Sequence, residues 1–414
     1  MRNILFILVD CLRADAISGA ERRTVTPTID RLMQRGTYFS QAISTTSTTT
    51  PCVASMLTGN YPFSHGIRSL SGYKLNSECV TLPQVLKKSG YHTYAMVTGP
   101  LSPITGLDRG FDEYEYRTKE TYLSDGWGEN LRRKFRQREL REPWFAFLHL
   151  WELHKPRKVA QGFDSKRFGS DLYERAVSSL DPELERLLEL VGDDTIIILH
   201  GDHGENREVV RQSLLFHFYH RLKRRFSYPV DLRFYKIGHG FHVYDVLIRV
   251  PLLFAGRDIF PAGKVVTNQV RQIDFAPTLL DALGLDLPVS VHGQSLVPLL
   301  KGESVPEIPA HVAASGEMLD GPKNWRVGIR TAEWKYIFAP QNPDIPEELY
   351  HLLSDPHERR NLTKSRGTRA EELRRELLEI IAGTYYLNDV TSGDEMSDDE
   401  KSVMEERLKQ LGYL

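Results

Sequence analysis

Three short, largely apolar runs constrain this chain more than any other feature: Ile4–Val9, Trp144–Leu150 and Thr195–Leu199. None alternates apolar with polar residues as a half-exposed strand does. Each reads as a strand buried on both faces, the mark of a parallel sheet covered by helices. Each also runs straight into polar chemistry. Asp10 follows the first, Trp151-Glu152-Leu153-His154-Lys155-Pro156 the second, and His200-Gly201-Asp202-His203-Gly204-Glu205 the third. In open α/β sheets, ligands gather at the carboxyl ends of the strands. Helical patterns lie between the runs, over Thr81–Lys88 and over Leu180–Val191, where Leu184, Leu187, Leu188 and Val191 share one face. The expected architecture is an α/β sandwich with a mostly parallel central sheet over residues 1–305. A smaller α+β part over 306–388 should follow, with strands Arg326–Arg330 and Trp334–Phe338 and a helix Ala370–Ile381, and then an acidic and finally helical tail over 389–414.

Two stretches carry candidate chemistry. From Ser44, a run of hydroxyl side chains ends in Thr49-Thr50-Pro51, which reads as a helix start, and Thr58-Gly59 reads as its stop. Such a hydroxyl is either an ordinary cap or a group poised beside free N–H donors that could hold an anion. The adjacent Asp202 and His203 offer a metal one hard oxygen and one borderline nitrogen. Glycines on both sides of that pair allow close approach of the backbone. A bound dication would make a threonine hydroxyl a competent nucleophile, as it does water.

Residues 206–236 interleave His217, His220, Arg221, Lys223, Arg224, Arg225, Arg233 and Lys236 with aromatic side chains, among them Phe216, Phe218, Tyr219, Phe226, Phe234 and Tyr235. They form either a surface hairpin packed on this chain or a second copy of it, or a lid that brings cations to an anionic substrate. A net charge of −2 over 414 residues argues against a nucleic-acid partner. Three cysteines, an odd number, fit a reducing compartment. Only six apolar residues precede Asp10, fewer than a secretory signal needs, and no run approaches the ~18 that suggest a membrane span. The expectation is a cytoplasmic protein with no membrane span; a homo-oligomer stays open.

The segment from Thr49 to Gly66 resembles the signature of the sulfatases, within the alkaline phosphatase superfamily. Pro51, Leu57-Thr58-Gly59, Tyr61-Pro62 and His65-Gly66 fall in register with it, as do Asp202-His203-Gly204-Glu205 and Gln294 within His292–Leu296. The resemblance implies an alkaline phosphatase-like sandwich. It puts Thr49 where sulfatases carry the Cys or Ser that is oxidised to formylglycine, and Cys52 three residues too late for that role. It implies that Asp10, Thr49, Asp202 and His203 bind a divalent metal ion, with Cys11 in place of a second acid. His203 favours zinc or manganese over calcium or magnesium. A second metal site is left open, with Glu152, His154 and His239 as a loose match.

By the same resemblance, Thr49, His154 and His239 are catalytic. Asn60, Thr98 and, more weakly, His242 contact the substrate, Thr98 standing where sulfatases place a sulfate-binding lysine. The implied activity is a hydrolase acting on a small anionic ester, phosphate or phosphonate, through a phospho-threonine, as in phosphodiesterases and phosphonate monoester hydrolases. The alternatives are a sulfatase working with unmodified Thr49, transfer of the phosphoryl group to an alcohol, and a non-enzymatic relative.

Overall fold

The computed structural model describes residues 1–119, 121–207, 239–287, 289, 291–316, 321–387 and 395–411. The cation-rich segment therefore lies outside the described residues from 208 onward, and so does the acidic part of the tail before 395. Eight strands form one sheet: β1 (Ile4–Val9), β2 (Thr37–Ile43), β3 (His92–Thr98), β4 (Glu113–Arg117), β5 (Trp144–Leu150), β6 (Ile196–Gly201), β7 (Arg249–Ala255) and β8 (Lys264–Arg271). Their order is β4-β3-β5-β1-β6-β7-β2-β8, and β7 alone runs against its neighbours.

The three apolar runs are the centre of this sheet, β5-β1-β6, paired in parallel with Ile4 opposite both Phe145 and Ile196. Alternate residues of β1 enter two different cores. Ile4, Phe6 and Leu8 pack with Phe147, Phe254 and Phe275, while Leu5, Ile7 and Val9 pack with Leu148, Leu184 and Leu199. A strand walled by two cores has no polar face to show, which is why the run is continuous.

The helices cover those faces. They include α1 (Pro27–Arg35), α2 (Thr49–Thr58), α3 (Pro62–His65), α4 (Leu82–Lys88), α5 (Gly126–Arg136) and α6 (Leu172–Leu188). The charged stretch 116–142 begins inside strand β4 and seals the sheet with α5, whose Leu131 and Phe135 are buried. Helix α6 starts well before Leu180: Asp171 caps it, and Tyr173, Ala176 and Val177 extend its apolar face.

A second sheet, all antiparallel, runs β12-β11-β10-β9, with β9 (Ala310–Ala314), β10 (Arg326–Arg330), β11 (Trp334–Phe338) and β12 (Glu348–His351). The long helix Gly367–Leu387 packs on it through Ala370, Leu373 and Leu377. The sheet is stitched to the first domain at a telling point. Thr46, in the hydroxyl-rich loop, bridges Ala313 of β9, whose N–H donates to Thr45 O at 2.9 Å.

Candidate active site

The carboxyl ends of β1, β2 and β6 meet at one point. Asp10 leaves β1, the Ser44–Thr48 loop leaves β2 and enters α2, and Asp202-His203 leave β6. Thr48 is the N-cap of α2, so Thr49 is the first helical residue rather than the cap. Thr49 Oγ1 lies 3.1 Å from Asp10 Oδ2, to which it donates, and 3.2 Å from His203 Nε2. His203 Nδ1 is 2.8 Å from Gly204 O, so it carries the proton and leaves the Nε2 lone pair facing the threonine. Gly201 and Gly204 are needed here. A Cβ on either would stand 2.4 Å from Leu12 O or 2.1 Å from Val246 O.

Asp202 is held by backbone alone. Its Oδ1 accepts from Cys11 N–H (3.0 Å) and His203 N–H (2.7 Å), while its buried Oδ2 has no hydrogen-bond partner. Gln272 donates to Asp202 O at 2.8 Å and accepts from Thr45 N–H at 3.2 Å, which ties the β6 end to the hydroxyl loop. Tyr173 of α6 donates to Cys11 O (2.7 Å) and accepts from Arg13 N–H (2.9 Å), which pins the turn after β1. Cys11 itself sits at φ 62°, a left-handed conformation that non-glycine residues rarely adopt.

Asp10 and Asp202 are both fully buried, with histidines as their charged-group neighbours. Burial pushes Asp10 up, but His149, 3.4 Å from it, together with His154 and His203, pulls it well below the usual carboxylate range. Burial and then the Asp10 charge push Asp202 up. For His203, the two carboxylates outweigh burial and raise it. Two carboxylates in a dry pocket, one with an orphaned oxygen, are unfavourable without a cation. Asp10, Asp202 and His203 each bring one donor atom within 4.8 Å of the others. This oxygen-oxygen-nitrogen set therefore fits a divalent metal ion.

Other expected residues scatter. His154 and His239 border the site, with ring centroids 5.3 Å apart, and the His239 ring is 4.3 Å from that of His203. Burial lowers His154 to about 3, and its Nδ1 faces Lys155 O at 2.7 Å. His239 Nδ1 lies 3.6 Å from Glu205 Oε2. Glu205 is held down at about 2: burial opposes this, but His239, Lys155 and Arg157 prevail.

Asn60 is not at the site. It follows the far end of α2, roughly 16 Å along the axis from Thr49 at ~1.5 Å per residue, and donates to Thr58 O. Thr98 spends its hydroxyl on Arg117 O at 2.9 Å. His242 is buried under the second sheet, 3.1 Å from Glu348 and stacked on Tyr244. Glu152 accepts from Leu123 N–H and belongs to neither group of candidate ligands. Cys52 faces Thr46, and burial pushes its thiol up to about 12, an unreactive state. His65 is a brace. It accepts from Ile67 N–H, sits 3.0 Å from Ser55 Oγ, and burial lowers it to about 3.

Sequence reasoning missed His149, whose Nε2 is 3.4 Å from Asp10 Oδ2 and whose Nδ1 is 3.2 Å from Thr98 O. It missed Tyr173 and Gln272 too. A histidine in the otherwise apolar WFAFLHL run was the one available signal.

The sulfatase family model matches residues 2–285, and that of the C-terminal part of N-sulphoglucosamine sulphohydrolase matches 239–383. Arylsulfatase K of Canis lupus familiaris is 31% identical over 192 residues, 43% of this chain and 29% of its own length, so the chain spans under a third of that relative. An ulvan-active sulfatase of Formosa agariphila is 22% identical over 88% of this chain and 76% of its own. In fold, the chain is similar to a phosphonate monoester hydrolase of Agrobacterium radiobacter, with a TM-score of 0.71, 19% identity, and 92% and 96% of the two chains covered. With the sheet order, the site at its carboxyl edge and a family match over residues 2–285, the chain belongs to the sulfatase family.

Proposed function

We propose that the chain hydrolyses phosphate or phosphonate esters with Thr49 as the direct nucleophile. The observation that carries this reading is the placement of Thr49 Oγ1 between Asp10 Oδ2 and His203 Nε2, with no cysteine or serine in its place. A threonine has no route to an aldehyde hydrate, so its hydroxyl acts as it stands, and phosphorus is its natural electrophile. When bound, a divalent ion held by Asp10, Asp202 and His203 supplies charge neutralisation and acidifies the hydroxyl. Zinc or manganese suits the imidazole ligand best.

The chain's own groups do the rest. Asp10 Oδ2 accepts the hydrogen bond that orients the Thr49 hydroxyl, and the proton of that hydroxyl passes to solvent as the bond to phosphorus forms. Oγ1 bonds to phosphorus as the bond from phosphorus to the leaving oxygen breaks. His239, paired with the ionised Glu205, protonates that oxygen, while neutral His154 accepts a hydrogen bond at the rim. Water then bonds to phosphorus as the bond to Oγ1 breaks, a water proton returns to Oγ1, and phosphate or phosphonate leaves. All three cysteines are free and buried, in keeping with a reducing, cytoplasmic setting.

A second reading, hydrolysis of sulfate esters by unmodified Thr49, draws on the arylsulfatase K and ulvan-active sulfatase relatives. One experiment separates them. A panel of aryl phosphate mono- and diesters, phosphonate esters and sulfate esters is assayed, and a quenched reaction is analysed by peptide mass spectrometry. The expected result is phosphoester turnover with a phosphoryl group on the Thr49 peptide. Turnover of sulfate esters alone would overturn the proposal.

A further inference from the structure

We propose that Cys11 is a thiolate ligand to the ion held by Asp10, Asp202 and His203, and that it sets the preference of this site for zinc. The inference rests on the metal-dependent reading above. Two buried groups of candidate ligands exist among the described residues: Asp10/Asp202/His203 and Cys11/His203/His239. They share His203. Its Nδ1 is committed to Gly204 O, so only Nε2 is available, and one ring nitrogen serves one ion. The two groups therefore describe a single site with a sulfur at its side.

The local geometry agrees. The left-handed turn at Cys11 sends its N–H to Asp202 Oδ1 and its sulfur to Asp10 Oδ1, at 3.0 and 2.8 Å. Cys11 thus touches both carboxylates at once. Its own N–H helps fill Asp202 Oδ1, which leaves the buried Oδ2, without a hydrogen bond and 3.4 Å from His203 Nε2, for an ion. On its other side, the sulfur lies 3.7 Å from His239 Nδ1. Without an ion, the thiol proton serves Asp10. When zinc binds, the sulfur–zinc bond forms as the S–H bond breaks, and the proton leaves to solvent. Two carboxylate oxygens, one imidazole nitrogen and one thiolate would give zinc four donors and leave a fifth position for the Thr49 hydroxyl, an expansion that catalytic zinc accepts, and the soft sulfur disfavours calcium, magnesium and manganese.

The test uses the full chain, stripped with a chelator and reloaded with one equivalent of Co²⁺ as a spectroscopic probe. The wild type should show an intense near-ultraviolet sulfur-to-cobalt charge-transfer band beside the visible ligand-field bands. Cys11→Ser should still take up one Co²⁺ but lose that band. Its Zn²⁺ affinity should fall about 10–100-fold, while its Mn²⁺ affinity changes by less than about threefold. Stoichiometric cobalt without the band in the wild type, or a band that survives in Cys11→Ser, overturns the inference and leaves the phosphoesterase reading standing. Failure of the wild type to bind any ion removes that reading and the inference together. If Cys11→Ser does not fold, the Cys52→Ser/Cys79→Ser double variant decides, because Cys11 is then the sole thiol. A persisting band supports the assignment and a lost band refutes it.

Discussion

Two clusters of largely buried charge stand in different electrostatic states. Where the second sheet docks, Asp245 pairs with Arg330 (2.9 Å) and Lys335 (2.5 Å), and Lys335 also pairs with Glu358 (2.7 Å). Acids and cations match there one for one. Beside them, Glu348 is ringed by donors from His242, Tyr244 and Tyr350. At the carboxyl edge of the large sheet, Asp10 and Asp202 have, among the described residues, histidines, a thiol and the Thr49 hydroxyl as their side-chain neighbours and no paired arginine or lysine. The first cluster is complete and holds two sheets together. Among the described residues the second is short of positive charge, and that deficit is what marks it as a place for a ligand. Burial of charge alone distinguishes nothing; the balance does.

The largest expected effect breaks the comparison on the catalytic side. Thr49→Ala should reduce phosphoester turnover by several orders of magnitude with little change in melting temperature, because it removes the nucleophile and leaves both clusters' charges in place. Cys52→Ala should keep most turnover; loss of activity there would mean that Cys52, not Thr49, carries the chemistry. Lys335→Met should do the reverse of Thr49→Ala. It leaves Asp245 and Glu358 short of a cation and should cost about 3–5 kcal/mol of stability in denaturant titrations. A variant as stable as the parent would show that the balanced cluster holds nothing.

Acid should find the same cluster next. Burial pushes Glu348 up, but His242, the Tyr350 hydroxyl and Arg326 hold it down to about 2, below its ordinary 4.5. A carboxyl depressed on folding adds stability above its unfolded value and loses it as pH falls through the folded one. Melting temperature should therefore drop as pH goes from about 4.5 towards 2, and Glu348→Gln should flatten that limb. The smallest effect has the opposite sign. Asp202→Asn should abolish ion uptake, yet stabilise the chelator-stripped protein by on the order of 1 kcal/mol, the usual trade between site and stability. If the stripped variant melts lower than the stripped parent, the site is not short of positive charge.

The strand ends were legible from the sequence because a doubly buried parallel strand cannot hide its apolar run, and Asp10, Asp202 and Thr49 stand where such runs or a helix begin or stop. What remained illegible depended on distance in space. His149 looks like core until β5 is paired with β1, which brings it onto Asp10. His242 is three residues from His239 yet turns under the other sheet to meet Glu348. Asn60 belongs to the same signature as Thr49, but the rest of helix α2 and its cap Gly59 separate them. Tyr173 and Gln272 act through backbone carbonyls and amides, which carry no residue-specific mark in a sequence.

The central position of β1 has a consequence for how the protein is made. Its two partners begin at Trp144 and Ile196, well over a hundred residues downstream. At a ribosomal rate of about 5–20 residues per second, β1 waits roughly 10–40 s for β6 to be translated. Throughout that interval, six consecutive apolar residues, with both edges unpaired, are exposed to the crowded cell. Such a segment is a natural client for a holding chaperone. The active centre cannot be assembled in pieces from the N-terminus, since Asp10 meets His149 and Asp202 only when both flanking strands have arrived.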